Sequence, residues 1–420
     1  MVERQSLKNT TNIWPIESIE ESGKIITSAM IETGRGKSFH LWFSVPIERK
    51  DDLTEMSDPF VIASIFYAMG NSDRMIVHGQ VSPSLLKNLE EFQGAWINWS
   101  PQKYKKIEIS AANESEADDV NKTDKAIMAF SGGLDSCFTA YRHKNETCGR
   151  QKRNITAGVM VHGFDISLKD EETFRSAAEK SRKIINSVGM QLIPITTNFR
   201  DIGDDWNIVH EAGIAASLAL FGNGFRCGVI SSSFSYDSFN LNIPWGSNPL
   251  TDSLLSSSSF EIFNDGSMFN RTDKLELLTK WPQAMEYMRV CWKGEKLDRN
   301  CCECEKCIRN ILSFYAIGIK PAKCFPLDIT KQQIENIYVP DLAILFEYRC
   351  MLWAARKRMI KDKWVNSLEI CIKKNEKRLN GRGINWDIIR KNIAIRTRVR
   401  NFFNGYSFSK NANILEGALK

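Results

Sequence analysis

Apolar and polar residues alternate strictly over 24–32 and again over 38–45, around the turn-prone run Gly34-Arg-Gly-Lys37. Period-two patterning broken by glycine predicts a pair of strands. Helical periodicity at 59–69 and 83–92 flanks a further strand at 74–81, so residues 1–112 read as an N-terminal α+β unit. No catalytic cluster stands out in it; His40 and His78 sit singly on apolar segments. The pattern then lapses. Residues 113–124 are polar, acidic and aperiodic, the composition of a linker. From 125 onward, apolar runs at 126–130, 155–161, 191–195 and 227–231 alternate with helical stretches at 134–143, 171–188 and 208–221. Short apolar runs suit parallel strands covered on both faces, and strand–helix–strand repetition builds right-handed βαβ units. The expected fold class is α/β, with a parallel-sheet domain over 125–324 after the α+β unit. A helical region over 325–420 follows, with helices at 341–358, 363–379 and 387–403, the latter two separated by Gly381-Arg-Gly383. Trp353, Trp364 and Trp386 are placed to pack these helices against each other or against the sheet domain.

Composition changes this picture in two ways. The chain has eleven cysteines, four of them within 301–307, a clustering that points to metal ligation rather than disulfides. No apolar run reaches the ~18 residues of a membrane helix and the first residues lack an apolar signal core, so a cytoplasmic protein without membrane contact is expected. The net charge of +6 is also uneven: residues 351–420 hold 17 Lys/Arg against 5 Asp/Glu, a local +12, which leaves −6 for the rest. A basic helical face of this kind more often meets solvent or its own acidic body than nucleic acid. A protein partner through 1–112 or through the basic region remains an open expectation.

The candidate chemistry starts where the run 126–130 ends. Ser131-Gly132-Gly133-Leu134-Asp135-Ser136 places two glycines at a strand–helix junction. Such a turn brings main chain close to a ligand and presents unpaired helix N–H groups to an anion. It has neither the spacing and lysine of a Walker A loop nor the GxGxxG pattern. Other polar clusters also follow strands: His162-Gly-Phe-Asp165, then Thr196, Thr197 and Asn198, then Ser231, Ser232 and Ser233. Parallel sheets bind ligands at the carboxyl ends of their strands, so these clusters are expected on one rim. Asp165 is suited to bond a hydroxyl or amino group, and Trp245, in a Pro/Gly/Ser-rich loop, to stack on a planar ring. Ser232 is a further candidate substrate contact. Arg271 and Lys274, three apart on one helical face, suit phosphates or a carboxylate. Cys291, Cys301, Cys304 and Cys307 form C-x9-C-x2-C-x2-C. Four thiolates satisfy the tetrahedral preference of structural zinc; an Fe–S cluster also takes four cysteines, but the compact spacing favours zinc.

The hexad SGGLDS resembles the signature of PP-loop ATP pyrophosphatases, within the adenine nucleotide alpha hydrolase-like fold. That resemblance implies that Ser131, Gly132, Gly133 and Ser136 hold the pyrophosphate of ATP, with Leu134 also in the ATP site and Asp135 orienting the loop or a magnesium ion. It also implies that His162 and Asp165 meet the adenosine part. Together with the cysteine spacing, residues 125–320 resemble the 7-cyano-7-deazaguanine synthase family. The implied activity is an ATP- and Mg2+-dependent ligase, activating a small-molecule carboxylate of the 7-carboxy-7-deazaguanine type as its adenylate for attack by ammonia. The extra N-terminal unit resembles branches outside queuosine-type tRNA-base synthesis, some associated with antiviral defence, where a protein amine is a possible nucleophile. The stretch around His210 is similar to one where related proteins carry His-Gly; here Glu211 replaces the glycine. A tRNA-modifying PP-loop enzyme and a non-catalytic nucleotide-binding assembly subunit are the alternatives.

Overall fold

The structure is a computed structural model that describes residues 9–33, 36, 38–117, 124–238 and 245–380. In chain order the first part contains β1 (Thr10–Glu21), β2 (Lys24–Thr33), β3 (Ser38–Pro46), α1 (Asp58–Asn71), β4 (Arg74–Val81), α2 (Pro83–Trp99) and β5 (Glu108–Glu114). The second part contains β6 (Ala126–Ala129), α3 (Leu134–Lys144), β7 (Ile155–His162), α4 (Glu171–Asn186), β8 (Gln191–Thr197), α5 (Trp206–Ala219), β9 (Cys227–Ser231) and β10 (Glu261–Asp265). Helices then follow: α6 (Arg271–Leu278), α7 (Pro282–Tyr287), α8 (Glu305–Ala316), α9 (Lys331–Glu335), α10 (Leu342–Lys357) and α11 (Lys363–Asn380).

All ten strands join one sheet in the order β10-β9-β6-β7-β8-β3-β2-β1-β4-β5. Pairing is parallel from β10 through to β8, antiparallel from β8 to β1, and parallel again from β1 to β5. The α/β class is therefore borne out, and the strands expected after residue 125 occupy a mostly parallel sheet. The expected hairpin at 24–45 is also present, with Glu32 opposite Ser38.

The two parts of the chain meet at β3 and β8, where Phe43 faces Thr197 and Ser44 faces Thr196. The joint consumes one of the clusters expected on the ligand rim. Thr197 Oγ1 donates to the Trp42 carbonyl at 2.7 Å, the Trp42 N–H donates to Asn198 Oδ1 at 3.0 Å, and Asn198 Nδ2 donates to the His40 carbonyl at 2.7 Å. These residues serve sheet continuity. One hydrophobic core runs across the joint and includes Phe43 and Phe60 on one side with Ile195, Phe199 and Ala216 on the other. A second core lies between α3, α4, α6 and the cysteine region, and a third among α8 to α11.

The helices expected at 341–358 and 363–379 are α10 and α11. Trp364 packs at 5.8 Å from the ring of Tyr315 on α8. The helix expected at 387–403, the break at Gly381 and Gly383, and Trp386 lie outside the described residues. So do part of the linker and the centre of the turn at Gly34. No helix among the described residues is long and apolar enough to cross a membrane.

Candidate active site

In the parallel part the strands lie in the spatial order β10-β9-β6-β7-β8, so the connections leaving β6 and β9 wind to opposite sides. The crevice between these two strands is a topological switch point, where doubly wound sheets take their ligands. The hexad 131–136 sits there. Phe130 ends the strand with its N–H bonded to the Val159 carbonyl at 2.8 Å. Gly132 has φ +69°, and a Cβ on it would stand 2.5 Å from Ser181 Oγ of α4. Glycine is required there on both counts. The Gly132 carbonyl accepts the Arg289 N–H at 2.9 Å, and Ser136 Oγ donates to the Gly133 carbonyl at 3.1 Å. No side chain caps the first turn of α3, which leaves its N–H groups to the cavity.

Asp135, in that first turn, is half-buried between two cations. Arg271 Nη2 lies 2.9 Å from Oδ2, and Lys274 Nζ lies 2.9 Å from Oδ1. Burial works to raise the Asp135 pKa, but the two cations outweigh it and hold the carboxyl below its ordinary range. Asn270 caps α6 through its side chain, which accepts the Asp273 N–H at 2.9 Å, and thereby aims Arg271 and Lys274. Lys274 also donates to the Ser232 carbonyl. The Arg271 N–H donates to Glu347 Oε2 of α10 at 3.2 Å, tying the C-terminal helices to the same cluster. Burial raises the Glu347 carboxyl.

Asp135 and Arg271 border a cavity of about 320 Å³, within the size range of small-molecule sites. One wall is aromatic. Phe164 and Trp206 have ring centroids 5.0 Å apart, and Trp245 stands 5.1 Å from His210. His210 Nδ1 donates to the Trp206 carbonyl at 3.0 Å, and burial lowers the imidazole pKa to about 4. The ring is therefore neutral at pH 7, with Nε2 as an acceptor. Asp165 is exposed on the cavity wall, held by the turn at Gly163, where φ is +104° and a Cβ would stand 2.0 Å from the Thr197 carbonyl oxygen.

Of the residues singled out in the sequence, Ser131, Gly133, Leu134, Asp135, Ser136, Asp165, Trp245 and Arg271 line this cavity. Lys274 stands behind it and acts on Asp135. Two are placed differently. His162 is buried, stacked on Phe174 at 4.4 Å, with Nε2 donating to the Ser167 carbonyl at 2.8 Å. Ser232 is buried and its hydroxyl donates to the Phe234 carbonyl; Ser231 and Ser233 reach the cavity instead. Sequence reasoning passed over Phe164, Arg289, Trp292, Lys306 and the structural role of Glu347. Lys306 was hidden inside the cysteine motif.

The cysteine group adjoins the same cavity. Cys291 Sγ lies 3.4 Å from Cys301 and 3.8 Å from Cys304, and Cys301 Sγ lies 3.9 Å from Cys307. All four sulfurs fall within 4.8 Å of one another. Ligands about 2.3 Å from a tetrahedral zinc stand about 3.8 Å apart, so the donor set fits that ion. The N–H groups of Glu303 and Cys304 point at Cys301 Sγ from 3.4 and 3.3 Å, which suits a thiolate. Cys302, at φ +61°, turns its sulfur toward the Asn300 carbonyl and out of the group. Asn300 ties the centre down by accepting from the N–H groups of Val290 and Cys291 and donating to the carbonyls of Met288 and Cys324.

No protein-family model, no curated protein and no solved structure matches the chain.

Proposed function

We propose that this chain is an ATP-dependent ligase that converts a carboxylate to its acyl-adenylate, releasing pyrophosphate, and passes the acyl group to an amine. The observation that carries this reading is the SGGLDS turn at the switch point, glycine-dependent and uncapped, with Asp135 clamped between Arg271 and Lys274. In the first step a carboxylate oxygen of the substrate bonds to the α-phosphorus and the bond to the β-phosphate oxygen breaks. In the second step the amine nitrogen bonds to the acyl carbon and AMP leaves with the electron pair. Such chemistry needs alignment and positive charge more than an acid–base pair. The turn and the α3 N-terminus hold the departing phosphates, and the aromatic wall of Trp206, His210 and Trp245 takes a planar ring. Both oxygens of Asp135 are already engaged, which favours a role in orienting the loop; Asp165 is the exposed carboxylate that would meet a magnesium ion. Bound with the nucleotide, magnesium would supply further positive charge to the phosphates. The four cysteines form a closed centre and take no part in the reaction.

The test is pyrophosphate release from ATP and Mg2+ with and without 7-carboxy-7-deazaguanine. Release that depends on the acid supports the proposal. Release that depends on tRNA would replace it with an RNA-modifying activity, and nucleotide binding without turnover with an assembly role.

A further inference from the structure

The cations around the cavity are not equally available. Lys274 is engaged by Asp135 and the Ser232 carbonyl, and Arg271 gives Nη2 to Asp135 while its buried Nε has no partner among the described residues. Arg289 directs Nη1 to the carbonyls of Cys291 and Leu297, at 3.3 and 2.9 Å. Lys306 differs from all three. It lines the cavity, and its ammonium has no hydrogen bond or ion pair among the described residues. It occupies the first turn of α8, between Cys304 at the cap and Cys307 one residue on. Successive helical residues point about 100° apart, so Cys307 faces the sulfur cluster while Lys306 faces the cavity. Lys306 and residues of the SGGLDS turn line the same cavity.

We infer that Lys306 grips the outer phosphates of the nucleotide, and that the cysteine centre serves to aim it. The inference rests on the reading of the cavity as an ATP site and adds a residue and a role to it. Asp135, Arg271 and Lys274 together carry a single positive charge, far short of what a departing pyrophosphate presents. An uncommitted ammonium in the same cavity adds to that charge, as Arg289 does, and a lysine binds phosphate as a point charge without needing fixed geometry. Four sulfurs on one metal would hold the first turn of α8 rigidly, which removes the ordering cost that a surface lysine meets on binding.

The experiment uses the metal-loaded full chain and titrates pyrophosphate, ATP and AMP calorimetrically into the parent protein, Lys306→Met and Lys306→Arg. Lys306→Met should weaken pyrophosphate and ATP about tenfold or more and leave AMP unchanged, and Lys306→Arg should restore most of the loss. A second measurement needs no variant. In the parent protein, pyrophosphate should protect Lys306 from an amine-acylating reagent, read by peptide mass analysis, and AMP should not. Unchanged pyrophosphate affinity in Lys306→Met, equal loss of AMP, or acylation indifferent to pyrophosphate overturns the inference while leaving the ATP site standing. A parent protein that binds neither ATP nor pyrophosphate overturns the ATP reading, and this inference falls with it.

Discussion

Asp135 shows how tightly chemistry and stability are bound together in this cavity. Its carboxylate separates two buried cations, so replacing it removes charge compensation as well as loop orientation. Asp135→Asn should abolish pyrophosphate release and cost on the order of 3 kcal/mol by urea unfolding, since uncompensated buried charge is expensive. Removing one cation as well, in Asp135→Asn with Arg271→Met, should recover part of that stability without recovering activity. Unchanged stability in the single variant would mean that water already screens the cluster. A second residue-scale effect lies behind the aromatic wall, where Glu211 and Asp252 are both buried. Burial pushes the Asp252 carboxyl up to about 7 and holds Glu211 well above the usual carboxylate range. Between about pH 4 and 7 the folded chain keeps a proton on Asp252 that the unfolded chain has lost, so stability falls as pH rises through that window. Asp252→Asn cannot ionise. Its stability relative to the parent should climb by up to about 1.4 kcal/mol per pH unit across the window and level off above it. A pH-independent difference would count against the shift. At this scale the sequence was informative where a residue type has few uses: Gly132, Asp135 and the four cysteines were legible. His162 was not, because a histidine at a strand end looks the same whether it stacks on Phe174 or faces a ligand.

Among the elements, the cysteine centre is the one whose loss should be felt furthest. Metal analysis should find about one zinc per chain. Cys304→Ser should lose it, lower the unfolding temperature and weaken pyrophosphate binding through Lys306. Iron in place of zinc, or a fully stable metal-free chain, would refute the assignment. The alternating strands and helices from 126 to 231 were readable because their periods are distinct and their apolar runs short. β1, β5 and β10 escaped notice for physical reasons. β1 is exposed from Trp14 to Glu21, so two thirds of it carries no core-facing signal, and β5 and β10 are short and polar. Thr196, Thr197 and Asn198 followed the rule for ligand-rim residues, yet they sit where β8 gains a neighbour from the far end of the chain. Nothing local to the sequence encodes that pairing.

For the whole molecule, the decisive fact is that the N-terminal unit extends the sheet bearing the candidate site. Its helix α1 packs along α5, and the shared core crosses the β3–β8 joint. A chain starting at residue 124 would therefore expose the edge of β8 and the apolar face of α5, and edges of that kind invite association. It should be insoluble or oligomeric by size-exclusion chromatography, and co-expression of residues 1–117 should restore a soluble complex. A truncated chain that stays monomeric with unchanged unfolding would show that the two parts are independent.

Ten strands laced edge to edge make a plate that resists folding along its middle. A book-like clamp between its two ends would have to tear the ladder between Phe43 and Thr197, so the mouth cannot breathe that way. Such give as the cavity has must come from pieces laid on top of the plate, and α10 holds the Arg271 main chain through Glu347. Whatever leans on that helix from outside is therefore mechanically connected to the Asp135 clamp.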